Sequence, residues 1–352
     1  MEFETRAIHV GQEPDPATGA VITPIYQTST YAQEAVGVNK GYDYARSGNP
    51  TRTALEECLA SLENGSFGHA FSSGVGASST VMHLVDPGQR VVCVNDVYGG
   101  TYRMFSQVYE PKGYAFDYVT PEEIPASVDE RTRLVWIESP TNPLLNIVDI
   151  RAAADAAHAA GALLVVDNTF ATPYLQQPLE LGADIVVHST TKYLGGHSDT
   201  IGGAVIARDA DWAERLAFMQ RAIGAVPGPQ DCFLVHRGLR TLHLRMRAHA
   251  ESAEAVVAFL GSVEGVTEVR WPGFSGMVSF RHPEATAIAA RTRLFTLAES
   301  LGGVESLIEV PQAMTHQSVE GSAAAVPPDL VRLSCGIEAP EDLVADLRQA
   351  LD

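Results

Sequence analysis

Between residues 69 and 207, seven short apolar runs alternate with stretches of helical period, and that alternation leaves the chain few folds to choose from. The runs are His69–Ser72, Arg90–Asn95, Ala115–Val119, Leu134–Glu138, Ala162–Asp167, Ile185–Ser189 and Gly203–Ala207. Helices are expected at Ala77–Leu84, Thr101–Tyr109, Ile150–Ala160 and Leu175–Leu181. Continuously apolar strands separated by helices predict a mostly parallel sheet covered on both faces. Ligands of such sheets bind outside the carboxyl ends of the strands. Chemistry is therefore sought at those ends.

The flanking segments read differently. The first forty or so residues mix Pro, Gly, Thr and Tyr without helical period, as in Val21-Ile22-Thr23-Pro24-Ile25-Tyr26. Such a segment buries little by itself and predicts an extended arm lying on another surface. A helix is expected from Thr51 to the Asn64-Gly65 stop. After Asp209 the pattern turns helical, at Trp212–Ile223 and over a long stretch from Arg237 to Leu260. From Val266 it mixes strands (Gly276–Arg281, Leu330–Ser334) with helices (Glu284–Thr296, Glu341–Leu351), as in a small α+β domain. At 352 residues, more than one core is expected. The division predicted is an arm over 1–47, a large α/β domain over 48–236 and a small domain over 237–352.

Charge and cysteine narrow the partners. The 24 basic residues are outnumbered by 43 acidic ones, giving a formal charge of −19. So acidic a surface repels nucleic-acid backbones and anionic membranes. Cys58, Cys93, Cys232 and Cys335 are scattered and form no CxxC pair, so neither a disulfide framework nor a thiolate metal site is expected. Met1–Arg6 lacks the basic and apolar regions of a signal peptide, and no apolar run approaches a membrane span. The chain is expected in the cytoplasm.

Two residues at strand exits carry the first chemical signal. Asp167 ends the run Leu163–Val166, and Lys192 follows the next strand in Ser189-Thr190-Thr191-Lys192-Tyr193. A desolvated lysine has a lowered pKa and can attack an aldehyde. Pyridoxal phosphate needs such a lysine, and an acid to keep its pyridine nitrogen protonated. On their own, the two residues are better explained by solvation or helix capping. An anion handle adds to them: Ser72-Ser73-Gly74-Val75-Gly76-Ala77 joins a strand to a helix, where free N–H groups and the positive helix end meet phosphate. Ser189 and Thr191 could add hydroxyls, and Arg46, near Tyr44 in the arm, has the forked donors that suit phosphate. A rival reading takes Gly74-x-Gly76 with Asp96 as a dinucleotide fingerprint of an oxidoreductase. The third glycine is missing, and Lys192, Asp167 and Arg46 stay unexplained.

Longer runs carry a family likeness. Tyr44-x-Arg46-Ser47-Gly48-Asn49-Pro50-Thr51, Asp96-Val97-Tyr98-Gly99-Gly100-Thr101 and Glu138-Ser139-Pro140-Thr141-Asn142-Pro143 are three of them. Val166-Asp167-Asn168-Thr169-Phe170, Ser189–Tyr193 with Gly195-Gly196-His197-Ser198-Asp199, Leu297–Gly303 and Arg332-Leu333-Ser334 complete the set. Together they resemble the trans-sulfuration (Cys/Met metabolism) family of pyridoxal phosphate enzymes, in order and over nearly the whole chain. The resemblance implies the aspartate-aminotransferase-like (type I) α/β fold. It makes Lys192 the Schiff-base lysine and proton shuttle, and Asp167 the partner of the pyridine nitrogen. Tyr98 would stack on the ring. Gly74, Val75, Ser189, Thr191 and Thr169 would complete the cofactor site, with Tyr44 and Arg46 reaching over from a neighbouring subunit. A homo-oligomer follows, expected as a tetramer built from two dimers. Arg332, helped by Asn142 and Ser306, would hold the substrate carboxylate, and Asp43 and Glu305 would meet the distal ammonium of cystathionine. Gly100 stands where methionine γ-lyases carry Cys. The reading leans to γ-elimination from cystathionine, with γ-replacement on an O-acylhomoserine by cysteine as the alternative. One departure stands out: between Trp271-Pro272-Gly273 and Gly276-Met277 only Phe274-Ser275 remain of a longer family segment, which is expected to lie away from the lysine.

Overall fold

The computed structural model describes residues 1–319, 321–322 and 325–352. Seven strands form the larger sheet: β1 (Phe67–Phe71), β2 (Arg90–Val94), β3 (Ala115–Val119), β4 (Thr132–Glu138), β5 (Leu163–Asp167), β6 (Ile185–Ser189) and β7 (Gly203–Ala207). Their order is β1-β7-β6-β5-β4-β2-β3. The pairings from β3 to β6 are parallel, while β7 runs antiparallel to both β6 and β1. The central strands bury nearly every side chain, because helices cover both faces. The sheet is thus the α/β arrangement that the alternation predicts.

Local chemistry sets the helix limits. Asn49 caps the helix Pro50–Leu62 by accepting from the Thr51 and Arg52 N–H groups, and proline occupies the first position. The helix Ala210–Ile223 starts on the Asp209 cap and stops at Gly224 in the left-handed region. Four expected helices come out differently. Thr101–Tyr109 is a helix Gly99–Met104 running into a wider turn. Leu175–Leu181 is broken by Pro178 into Thr172–Leu175 and a tight turn, since proline cannot continue the ladder. The long stretch is two helices, Pro229–Leu239 and Leu242–Leu260. Glu284–Thr296 contracts to Ala285–Arg291, because the Asp346 carboxylate takes the N–H groups of Arg293, Leu294 and Phe295 at 2.8–3.1 Å.

A second sheet has the order β10-β11-β12-β9-β8, from β8 (Thr267–Arg270), β9 (Met277–Arg281), β10 (Thr296–Leu297), β11 (Leu307–Glu309) and β12 (Leu330–Ser334). It has its own core of Val278, Phe280, Ile308, Val331 and Leu333. The helix Leu242–Leu260 joins the two cores: Leu242 and Met246 pack in the first, Ala253, Val256 and Leu260 in the second. The 236/237 division falls inside the preceding helix, where Val235 and Leu239 both belong to the first core.

The arm is irregular from Gly11 to Asn49 apart from isolated bridges, one of them Thr30–Tyr44. Ahead of it the helix Phe3–His9 is ordered by Arg6, which bonds Ser61 O and Asn64 Oδ1. That helix was not expected from the sequence. The shortened connection closes tightly: Trp271 Nε1 donates to Ser275 O at 3.1 Å. Gly276 N then donates to the Tyr193 hydroxyl at 3.1 Å. The connection thus touches the side chain of the residue after Lys192, while none of residues 271–277 lines the cavity that holds the lysine.

Candidate active site

The carboxyl ends of β4, β5 and β6 deliver Glu138, Asp167 and Ser189 to one cavity of about 280 Å³, with Lys192 in the turn beyond β6. Asp167 Oδ1 accepts the Thr169 N–H at 3.0 Å, and Thr169 Oγ1 accepts the Ser189 N–H at 2.9 Å. These bonds tie the two strand ends together. Burial pushes the Asp167 carboxyl up, and the Thr169 bonds and nearby His188 pull it back. On the other side of that strand end, buried His188 and Asn168 both bond Glu63.

The cavity floor is a helix start. Ser73 caps Gly74–Val81 by accepting from Gly76 N at 3.0 Å, which leaves the first N–H groups facing the cavity. Gly74 is needed there because a Cβ would lie 2.9 Å from that of Ser189. Thr191 lines the same end, its hydroxyl accepting from Gly202 N at 3.0 Å. The result is a cradle of N–H groups and hydroxyls shaped for an anion.

Tyr98 forms part of the wall. Its N–H bonds both oxygens of buried Glu138, at 3.0 and 3.1 Å. A Cβ on Gly100 would fall 2.3 Å from Tyr98 Cε1, so the ring rests where a side chain is missing. Opposite, Lys192 Nζ donates to Ser300 Oγ at 2.7 Å. Burial, then the Arg332 charge, pushes the lysine amine down to about 8. Arg332, on β12, donates from Nη1 to Asn142 Oδ1 at 2.9 Å and from Nη2 to Ser300 O at 3.0 Å. Glu299 completes the rim.

These features fit pyridoxal phosphate: a lysine amine near neutrality for the aldehyde, a half-buried acid, Asp167, in the same cavity, and a helix start for the phosphate. The family model described as Cys/Met metabolism PLP-dependent enzyme matches residues 4–352. The chain belongs to this family. It is 51% identical to the cystathionine γ-synthase of Mycobacterium tuberculosis, over 99% of this chain and 96% of that one. It is 46% identical to a Lactococcus lactis cystathionine β-lyase, over 99% of each. The crystal structure of metB from Corynebacterium glutamicum superposes with a TM-score of 0.98 at 47% identity, covering 100% of this chain and 98% of that one. The alignment to the M. tuberculosis protein spans 372 positions, more than the 352 residues of this chain. Relatives therefore carry residues that this chain lacks.

As a member of this family, the chain depends on pyridoxal phosphate. Of the residues singled out in the sequence, the cavity gathers Lys192, Asp167, Tyr98, Gly74, Val75, Ser189, Thr191, Thr169, Asn142 and Arg332. Five are not brought there. Ser306 is fully buried, donating to Glu338 Oε2 and accepting from Gly336 N. Glu305 turns to the Ser198 hydroxyl. Glu299-Ser300 repeats the Glu305-Ser306 dipeptide six residues earlier, and of these two it is Glu299-Ser300 that lines the cavity. The reading of Ser306 and Glu305 as substrate contacts is corrected accordingly. Asp43, Tyr44 and Arg46 also lie outside the cavity of their own chain: Asp43 is exposed, and Arg46 donates to Arg221 O at 2.8 Å.

Glu138 and Thr315 are further cavity residues that the sequence reading missed. A strand-end signal identical to that of Asp167 was available for Glu138. The two serines make a sharp comparison. Ser300→Ala is expected to lower kcat by about tenfold, since a hydrogen bond to a charged group contributes ~1.5–3 kcal/mol. Ser306→Ala is expected to leave kcat/KM within about threefold while losing ~1–2 kcal/mol of stability in denaturant titration. Equal kinetic losses in the two variants would contradict this placement.

Proposed function

We propose that this chain makes cystathionine by γ-replacement, exchanging the acyloxy group of an O-acylhomoserine for the sulfur of cysteine and releasing the carboxylic acid. Relatives in the family bear the names cystathionine γ-synthase, γ-lyase and β-lyase. The 51% identity to a γ-synthase supports the synthase over the elimination that the sequence reading favoured. The observation that carries the substrate class is a cavity lined by a buried cation, Arg332, and a rim carboxylate, Glu299, both acting on the charge of the Lys192 amine. That pattern suits an α-carboxylate at one end and the ammonium of cysteine, or of cystathionine, at the other.

Bound pyridoxal phosphate supplies the electron sink that acidifies hydrogens at Cα and Cβ. The residues do the rest. Arg332, steadied by Asn142 and the Ser300 carbonyl, orients the α-carboxylate. Lys192, with an amine near neutrality, takes and returns the protons at Cα and Cβ. Ser300 Oγ keeps that amine at its post. Tyr98 covers the cavity wall and excludes water, while Asp167 holds a proton at the pyridine nitrogen. Tyr44, Arg46 and Asp43 act in a neighbouring copy's cavity within a homo-oligomer, a dimer of dimers. The exposed apolar side chains of the arm, Val21 at 79% and Val36 at 102%, support that placement.

The test is product analysis of the purified holoprotein. With O-acetyl- or O-succinylhomoserine plus cysteine, cystathionine is expected, and Glu299→Ala is expected to raise the KM for cysteine by about tenfold. Rapid 2-oxobutanoate from cystathionine, with no cystathionine formed from the acyl substrates, would return the assignment to γ-elimination.

A further inference from the structure

Glu309 and Arg332 are register partners across β11 and β12. Their side chains meet, with Nη2 3.0 Å from Oε2 and neither residue more than 3% exposed. The other Glu309 oxygen accepts the Thr315 hydroxyl at 2.9 Å. That hydroxyl also bonds His316 Nδ1 at 2.8 Å, and burial holds this imidazole neutral, pushed down to about 3. Arg332 is thus already engaged by Asn142, the Ser300 carbonyl and one buried carboxylate. Burial pushes the Glu309 carboxyl up, and Arg332 is the main group drawing it back, aided by Thr315 and Lys192 and opposed by Glu299.

We propose that Glu309 is a positioning residue that competes with the substrate α-carboxylate for Arg332 and takes up a solvent proton when that carboxylate binds. The inference rests on Arg332 being the carboxylate clamp. Two carboxylates that share one guanidinium in a dry site cannot both stay ionised at contact. The α-carboxylate is the stronger acid, at ~3.5 against ~4.3 for glutamate, and Glu309 is further weakened by burial, so the proton goes to Glu309. Before substrate arrives, Glu309 holds the guanidinium in place and offsets its effect on Lys192, whose amine Arg332 lowers and Glu309 raises. The sign follows from linkage. Binding that takes up a proton weakens as pH rises, by about tenfold per unit once free-enzyme Glu309 is ionised.

The experiment titrates the holoprotein with 2-hydroxy-4-(methylthio)butanoate, whose α-hydroxyl keeps the carboxyl a stronger acid than glutamate and which has no amine to exchange with the lysine. Calorimetry in two buffers of different ionisation enthalpy counts protons, while the visible band follows the cofactor's own protonation in parallel. Uptake of about one proton is expected in the wild type beyond any change at the cofactor, and none in Glu309→Gln. The variant should bind the carboxylate at least about tenfold tighter at high pH, with a flat pH profile, and Glu309→Asp should restore the uptake. Equal uptake in wild type and Glu309→Gln, or no uptake in a wild type that binds the ligand, overturns the proposal. Arg332→Lys separates the two readings: wild-type affinity in that variant removes the clamp itself and the proposal with it. An unchanged visible band and melting midpoint certify that Glu309→Gln is folded.

Discussion

Lys192→Ala is expected to abolish covalent cofactor binding and lower kcat by roughly 10⁴-fold or more, as losing the covalent and proton-transferring group does in other enzymes. The Lys192 amine lies in the cavity with Ser300 Oγ 2.7 Å away, and burial pushes it down to about 8. The amine reacts when neutral, so cofactor capture by the apoprotein should rise about tenfold per pH unit below about 8 and level off above it. Stopped-flow absorbance at a series of pH values checks the profile. A variant that keeps its visible band and a few per cent of its turnover would remove Lys192 from its role. A capture rate independent of pH would show that the buried amine is already neutral throughout.

Arg332→Lys should have the next largest effect, a loss in kcat/KM of roughly 10²-fold or more, equivalent to about 3 kcal/mol. Lysine keeps one positive charge, so buried Glu309 still has a counter-ion and the fold is spared the full penalty of an unpaired carboxylate. What it loses is the fork. Arg332 spends Nη1 on Asn142 and Nη2 on the Ser300 carbonyl, and those bonds fix its plane in the cavity wall. The loss should therefore fall mainly on KM, because the clamp holds ground state and transition state alike. Steady-state kinetics with the acyl substrate tests this, and a kcat collapse at unchanged KM would mean that Arg332 acts on the reacting atoms.

Much of this site was legible before any coordinates. β4, β5 and β6 are apolar along their length because both faces are covered, and their last residues are polar because they emerge into a crevice. That pattern locates Asp167 and, one strand on, Lys192. The helix start that lines the cavity was readable in Ser73-Gly74, where a capping residue precedes a glycine at a strand-to-helix turn. The second sheet was poorly legible: β8, β10 and β11 have two to four residues each, too few to show an alternation.

By itself, the sequence determined the α/β class and the strand ends and lysine that meet in the cavity. Each of these follows from local order along the chain: period, capping and residue type at a fixed offset. Tertiary structure alone decided that Glu299-Ser300, and not Glu305-Ser306, faces the cavity. It also decided that Glu309 stands behind Arg332 and that the shortened connection ends on Tyr193. These are contacts between segments more than 20 residues apart. They depend on where β10–β12 and the loop from 298 to 306 come to rest against the large sheet, and no local pattern encodes that.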